Sequence, residues 1–147
     1  MDAQHKFYRL KISAAAYSDP HMQTISAVTL AEGDVVIAVS QTGRSKDLLH
    51  SVQLVQNTGA TVISICPSNT PLADLATIAI HTDIEEDKDL STLMSSRVIH
   101  LVVFDVLAVG VAMKLGQGLL DHLKTIKRSL RHLRHNDKRP PIRRPKP

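Results

Sequence analysis

Residues 40–45 carry the clearest chemistry in this chain, because three hydroxyl side chains surround a glycine there. The segment stands between an apolar, strand-like run and the start of a helical pattern. A helix beginning at this point presents unpaired N–H groups at the positive end of its dipole. Ser40, Thr42 and Ser45 add hydroxyl donors, and Gly43 lets the backbone approach a ligand closely. The pattern suits an oxyanion such as phosphate, although a plain strand–helix turn with Ser45 as N-cap would look the same.

Strand-like and helix-like patterns alternate along the first 90 residues. The strand candidates are residues 13–18, 34–40, 61–66 and 77–81. The helix candidates are residues 1–10, 20–30, 45–57 and 72–76. Asp19 and Pro20 are typical of an N-cap followed by the first helical position. This alternation predicts an α/β layered fold with a parallel sheet.

Two helices are predicted after the sheet. Residues 90–115 are apolar on most faces, and Gly116 and Gly118 should end this helix. Its core, 98–113, is short for a membrane span and contains His100 and Asp105, which favours a buried or interface helix. A second helix shows one apolar seam at spacings of four and three, formed by Leu119, Leu123, Ile126, Leu130 and Leu133. We expect a homodimer through these two helices, and no membrane association.

The composition indicates one domain with an aliphatic core. The chain has 147 residues, of which 43% are hydrophobic but only 3% aromatic, and there is no Trp. The single cysteine, Cys66, excludes a disulfide within the chain and weakly favours the cytoplasm. The polar start shows no signal peptide. Ten Lys and Arg residues lie from Lys124 onward, so the net charge of +4 belongs to a basic end, with 136–147 predicted to be a disordered tail.

Several segments together resemble a known family. The hexapeptide 40–45, Ser-Gln-Thr-Gly-Arg-Ser, resembles the second phosphate-binding loop of the SIS (sugar isomerase) domain, whose usual form is S-x-[ST]-G-x-[ST]. Residues 2–10, 16–23 and 91–107 resemble RpiR-type transcriptional regulators, and most of all HexR-like repressors of hexose catabolism. The resemblance covers residues 2 to about 134. It implies a flavodoxin-like three-layer sandwich, with an SIS domain over residues 1–135.

The resemblance also implies a ligand and its contacts. HexR-like members imply 2-keto-3-deoxy-6-phosphogluconate, a phosphorylated sugar acid, as effector. The implied phosphate ligands are the hydroxyls of Ser40, Thr42 and Ser45 and the backbone N–H groups of Gln41 and Gly43. Candidate secondary contacts are Glu85, Ser91 and Thr92.

Simpler interpretations of the secondary contacts stay open. Glu85 and Glu86 can belong to a solvated acidic loop, and Ser91 and Thr92 can cap a helix. No cofactor or metal site is expected.

One part of the family pattern is missing. SIS domains hold a phosphosugar between two loops, one after the first strand and one after the third. The first strand and its Gly-x-Gly-Ser loop have no counterpart here, so we expect a chain truncated at its N-terminus. The missing strand would lie between residues 13–18 and residues 34–40.

The expected function is the effector-sensing half of a transcriptional regulator, cytoplasmic and without catalytic activity. DNA would be bound only by a helix-turn-helix domain that this chain lacks. Two alternatives remain open. The chain could be an aldose–ketose phosphosugar isomerase that uses Glu85 or Glu86 as its base, or a non-sensing dimerisation fragment.

Overall fold

The computed structural model describes residues 2–84 and 91–130, with the backbone alone for 91–95, 117, 118, 120 and 121. Helices and strands alternate up to β3, and two helices follow. The elements are α1 (Asp2–Arg9), α2 (Pro20–Val28), β1 (Val35–Val39), α3 (Lys46–Gln56), β2 (Thr61–Cys66), α4 (Pro71–Leu75), β3 (Ile78–His81), α5 (Ser91–Leu115) and α6 (Gln117–Ser129). The predicted α/β class is confirmed.

The described strands form one parallel sheet in the order β1-β2-β3. Its register places Ala38 beside Ser64, and Ser64 beside Ala79. Parallel strands need a crossover connection, which α3 and α4 provide. All three strands therefore end at the same edge of the sheet. The loops that follow them, residues 40–45, 67–70 and 82–84, lie together at that edge.

The core lies between the sheet and the helices α3 and α4. Val52, Val55, Val62 and Leu72 are almost completely buried there. Burying an aliphatic side chain of this size contributes roughly 1.5–3 kcal/mol, so these residues hold the strand ends in place. Cys66 is free and fully buried, and it packs in this core as a small hydrophobic residue.

The strand predicted at residues 13–18 is wrong. These residues form no strand, and the described sheet ends at β1. Three consecutive alanines, Ala14 to Ala16, have little preference for strands, and a strand also needs a hydrogen-bonded neighbour. No backbone hydrogen bond pairs this segment with β1. Asp19 nevertheless caps α2 as predicted, since its side chain accepts a hydrogen bond from the N–H of Met22 at 2.9 Å.

The long helix α5 packs against α1 and α6 and leaves much apolar surface exposed. Val106 is 65% exposed and Met113 is 78% exposed. The segment Ser96–Leu115 has a mean hydropathy of 2.1 and is long and apolar enough to cross a membrane. A fully buried α5 is therefore excluded within the described residues. The interface interpretation stays a prediction.

Of the two glycines that were predicted to end the long helix, one does so. Gly116 has a φ of +68° and separates α5 from α6, as expected. Gly118, by contrast, lies inside α6, so the prediction of a second break is wrong. The apolar seam of α6 starts with the buried Leu119, but Leu130 is exposed, and Leu133 lies outside the described residues.

Candidate functional site

The hydroxyl-rich loop, residues 40–45, joins the end of β1 to the start of α3. Its own hydroxyls hold its shape. The N–H of Gly43 donates to Ser40 Oγ at 2.9 Å, and the N–H of Arg44 donates to Thr42 Oγ1 at 3.3 Å. Each hydroxyl accepts in these bonds and so keeps its own hydrogen for an outside acceptor. The N–H of Gly43 is already used within the loop.

The N-terminus of α3 supplies further donors. Ser45 is its N-cap, as predicted, with an extended backbone, but its side chain makes no capping hydrogen bond. No hydrogen bond of the described residues uses the N–H groups of Lys46, Asp47 or Leu48. These are the orphan donors that every helix start presents, and together with the helix dipole they favour an anion.

A second loop, residues 67–70, supports the hydroxyl-rich loop from the end of β2. The N–H of Leu72 donates to the carbonyl of Gly43 at 3.2 Å, and Arg44 Nη2 donates to the carbonyl of Asn69 at 3.3 Å. Thr70 packs against Gly43. These contacts were not predicted from the sequence. Thr70 followed by Pro71 predicts a helix N-cap, but nothing local in the sequence indicates which loop Thr70 would touch.

The end of β3 is tied to the same edge by Asp83. Its carboxylate accepts hydrogen bonds from the N–H of Ser68 at 2.8 Å and from the Ser68 hydroxyl at 3.0 Å. These bonds favour the charged form and lower the pKa of Asp83 below its ordinary value. The three strand ends thus form one connected surface of loops.

A cleft of about 350 Å³ opens beside the hydroxyl-rich loop. Tyr17, Ser18 and Gln23 line one side, and Ser40 and Ser45 line the other. Gln23 is oriented by donating from Nε2 to the carbonyl of Tyr17 at 3.1 Å. The volume lies in the range of small-molecule sites. Hydroxyls, a helix N-terminus and an amide side chain together suit a phosphorylated polar ligand.

The structure brings Ser40, Thr42, Gly43 and Ser45 together in one loop, with the Gln41 side chain exposed. Glu85 and Glu86 lie outside the described residues. The helix α5 begins at Ser91, so Ser91 and Thr92 lie in its first turn, and the side chains of both are outside the description. The tail at 136–147 is also outside it. Residues 2–84 and 91–130 hold no group of three or more His, Cys, Asp or Glu side chains that could bind a metal.

The chain is similar to several known proteins. The SIS domain family matches residues 4–110. The bifunctional protein glk of Paraburkholderia xenovorans is 45% identical over 125 residues, which are 85% of this chain and 20% of that protein. The HTH-type transcriptional regulator HexR of Escherichia coli K12 is 39% identical over 133 residues, which are 90% of this chain and 46% of that regulator. The chain therefore spans at most about half the length of these two relatives.

A solved structure shows the same fold. The Vibrio vulnificus NanR protein complexed with ManNAc-6P superimposes with a TM-score of 0.80 at 24% identity. The match covers 92% of this chain and 51% of that chain.

Proposed function

This chain belongs to the SIS domain family, and we propose that it is the sugar-phosphate-sensing domain of a cytoplasmic transcriptional regulator of sugar catabolism. One observation carries the proposal: a loop with three hydroxyls precedes the helix α3 at the carboxyl edge of the sheet, and residues of this loop and of the first turn of α3 line a cleft. The similarity to HexR supports the regulatory role. DNA binding would belong to a helix-turn-helix domain outside these residues.

The proposed ligand is a phosphorylated sugar acid, 2-keto-3-deoxy-6-phosphogluconate. Its phosphate would accept hydrogen bonds from the hydroxyls of Ser40, Thr42 and Ser45 and from the backbone of Gln41 and of the first turn of α3. Gly43 would permit the close approach. The sugar-acid end would extend along the cleft toward Gln23. Glu85, Ser91 and Thr92 remain candidates for secondary contacts.

Calorimetric titration with three ligands tests the sensing function. We expect 2-keto-3-deoxy-6-phosphogluconate to bind, and unphosphorylated 2-keto-3-deoxygluconate to bind at least about tenfold more weakly, since one charge-assisted hydrogen bond is worth roughly 1.5–3 kcal/mol. Inorganic phosphate should compete with the sugar phosphate. Equal affinity for the phosphorylated and unphosphorylated sugar acids would contradict a phosphate site.

The alternative function, a phosphosugar isomerase, requires a base that moves a proton between adjacent sugar carbons. Among the described residues that line the cleft, the only carboxylate is that of Asp47, in the first turn of α3. A phosphate bound at the same helix start would repel this carboxylate. Asp47 would then lie beside the phosphate and away from the carbonyl end of an aldose or ketose phosphate, where the proton moves, and we propose that the ligand is bound without being converted.

Isotope exchange separates sensing from catalysis. We expect no deuterium to enter the carbon next to the carbonyl group when the protein is incubated with aldose and ketose phosphates in deuterated water, and NMR would follow the reaction. Deuterium uptake that disappears in Asp47→Asn, Glu85→Gln or Glu86→Gln would establish the isomerase instead.

The exposed apolar surface of α5 supports a homodimer as a further part of the proposal. Val98, Val102, Val106, Val109 and Met113 recur at spacings of four and three and so share one face. All five are more than half exposed. Asp105, which pairs with Lys6 of α1 at 2.6 Å, lies beside this face. A carboxylate in the middle of the helix disfavours membrane insertion, whereas a protein partner can cover the face and leave the ion pair at its rim.

Replacing Val106 with lysine should convert the dimer to a monomer, because it places a charge in the centre of the apolar face. Sedimentation velocity at micromolar concentration measures the change. Val28→Lys is the matched control, since Val28 is a comparably exposed valine on α2. A wild-type protein that sediments as a monomer would contradict the proposal.

A further inference from the structure

The geometry points to Thr70 as the positioning residue that sets the shape of the hydroxyl-rich loop. This inference rests on the proposed function, because it gives the phosphate site a support outside the loop itself. Thr70 follows the neighbouring strand β2 and is the N-cap of α4. It lies 27 positions after Gly43 in the chain, yet its side chain is the nearest neighbour that a side chain at Gly43 would meet.

The contact between Thr70 and Gly43 is very close. A Cβ added at Gly43 would lie 2.3 Å from Thr70 Oγ1 and 2.5 Å from Thr70 Cβ. The backbone of Gly43 has a φ of +64°, a conformation that glycine adopts easily. Thr70 therefore occupies the space that a side chain would fill, and the loop backbone rests directly on it.

Thr70 is itself held firmly, which allows it to act as a support. It is only 4% exposed. Its hydroxyl donates to the carbonyl of Pro67 at 2.9 Å and accepts from the N–H of Ala73 at 3.4 Å. Cys66 Sγ lies 3.5 Å from the same oxygen. These contacts fix the hydroxyl relative to β2 and α4.

Thr70 influences the proposed phosphate ligands through its contact with Gly43. The N–H of Gly43 donates to Ser40 Oγ and so orients that hydroxyl. The carbonyl of Gly43 accepts from the N–H of Leu72, which lies two residues after Thr70 in the first turn of α4. If the hydroxyl of Thr70 is removed, Gly43 can move into the vacated space. Ser40 then loses the partner that orients it.

Three variants separate this positioning role from general stability. Thr70→Ala removes the supporting oxygen, and Thr70→Ser keeps it. Thr58→Ala is a closely matched control, because the Thr58 hydroxyl also donates to a backbone carbonyl, that of Val55 at 2.8 Å, and accepts from a backbone N–H, that of Ala60 at 3.4 Å. Thr58 lies at the opposite end of α3 from the loop.

Amide hydrogen exchange, measured by NMR on the intact chain, tests the positioning role without a ligand. Thr70→Ala should speed exchange at the Gly43 amide by about tenfold, the equivalent of one weakened hydrogen bond, while Thr70→Ser and Thr58→Ala leave it within about threefold of wild type. Unchanged exchange at Gly43 in Thr70→Ala, or an equal increase in Thr58→Ala, would overturn the inference.

Titration with 2-keto-3-deoxy-6-phosphogluconate gives the second readout. Thr70→Ala should bind about tenfold more weakly than wild type, with affinity restored in Thr70→Ser and unaffected in Thr58→Ala. A wild-type protein that fails to bind would contradict the proposed function, and the exchange measurement would still decide whether Thr70 positions the loop. Full affinity in Thr70→Ala alongside faster exchange would overturn the link to ligand binding.

Discussion

Replacing both Ser40 and Thr42 with alanine is expected to weaken binding of a sugar phosphate by at least about 100-fold, because each hydroxyl would lose a charge-assisted hydrogen bond worth roughly 1.5–3 kcal/mol. Both hydroxyls also accept hydrogen bonds from the loop backbone, so the double variant loses part of the loop's own order. Isothermal titration calorimetry with 2-keto-3-deoxy-6-phosphogluconate measures the loss.

The matched control for this double variant is Thr29→Ala combined with Thr58→Ala. It also removes two hydroxyls that bond to the backbone, those of Thr29 and Thr58, and both lie away from the loop. Its affinity should stay within about twofold of wild type, because neither hydroxyl bonds to the loop. Comparable affinities in the two double variants would place the phosphate elsewhere.

Replacing Gly43 with alanine is expected to lower the free energy of unfolding by about 2–4 kcal/mol, the sum of overpacking and an unfavourable backbone conformation. The added Cβ would lie 2.3 Å from Thr70 Oγ1, and Thr70 is buried and held by hydrogen bonds. Something must therefore move, either the loop or the start of α4. Urea denaturation followed by circular dichroism measures the change.

Gly33→Ala isolates the contribution of the backbone conformation. Gly33 also has a positive φ, +93°, but an added Cβ would meet nothing within 4 Å. Gly33→Ala should lower the free energy of unfolding by less than Gly43→Ala does. The difference is the contribution of overpacking, about 1–3 kcal/mol. If both alanine variants are equally stable, the tight contact with Thr70 has no energetic consequence.

The local patterns predicted much of the fold. The strand β2 was predicted at its observed bounds, residues 61–66, because a short β-branched run between turn signals is decided by neighbouring residues. Ser45 was predicted as the N-cap of α3 for the same reason. The strand predicted at residues 13–18 is not formed, because the composition of this segment is ambiguous and a strand exists only where another strand offers hydrogen bonds.

Contacts between distant segments could not be predicted from the sequence. The hydroxyl-rich loop was recognised from its own six residues, but its support by Thr70 depends on two parallel strands ending side by side. The cleft likewise depends on where α2 places Gln23 relative to Ser45. The apolar character of α5 was evident, whereas its exposure depends on which surfaces the rest of the chain can cover.

Residue patterns were enough to predict the three observed strands and the hydroxyl-rich turn at the start of α3, since each follows from residue preferences over fewer than about 15 positions. The alternation of these elements then predicted the α/β class. The structure was needed to show that Thr70 underlies Gly43 and that segment 13–18 leaves the β1 edge of the described sheet unpaired. The physical reason is packing: close contacts and strand ladders join residues that are distant in the chain, and their energies depend on the arrangement of the whole domain.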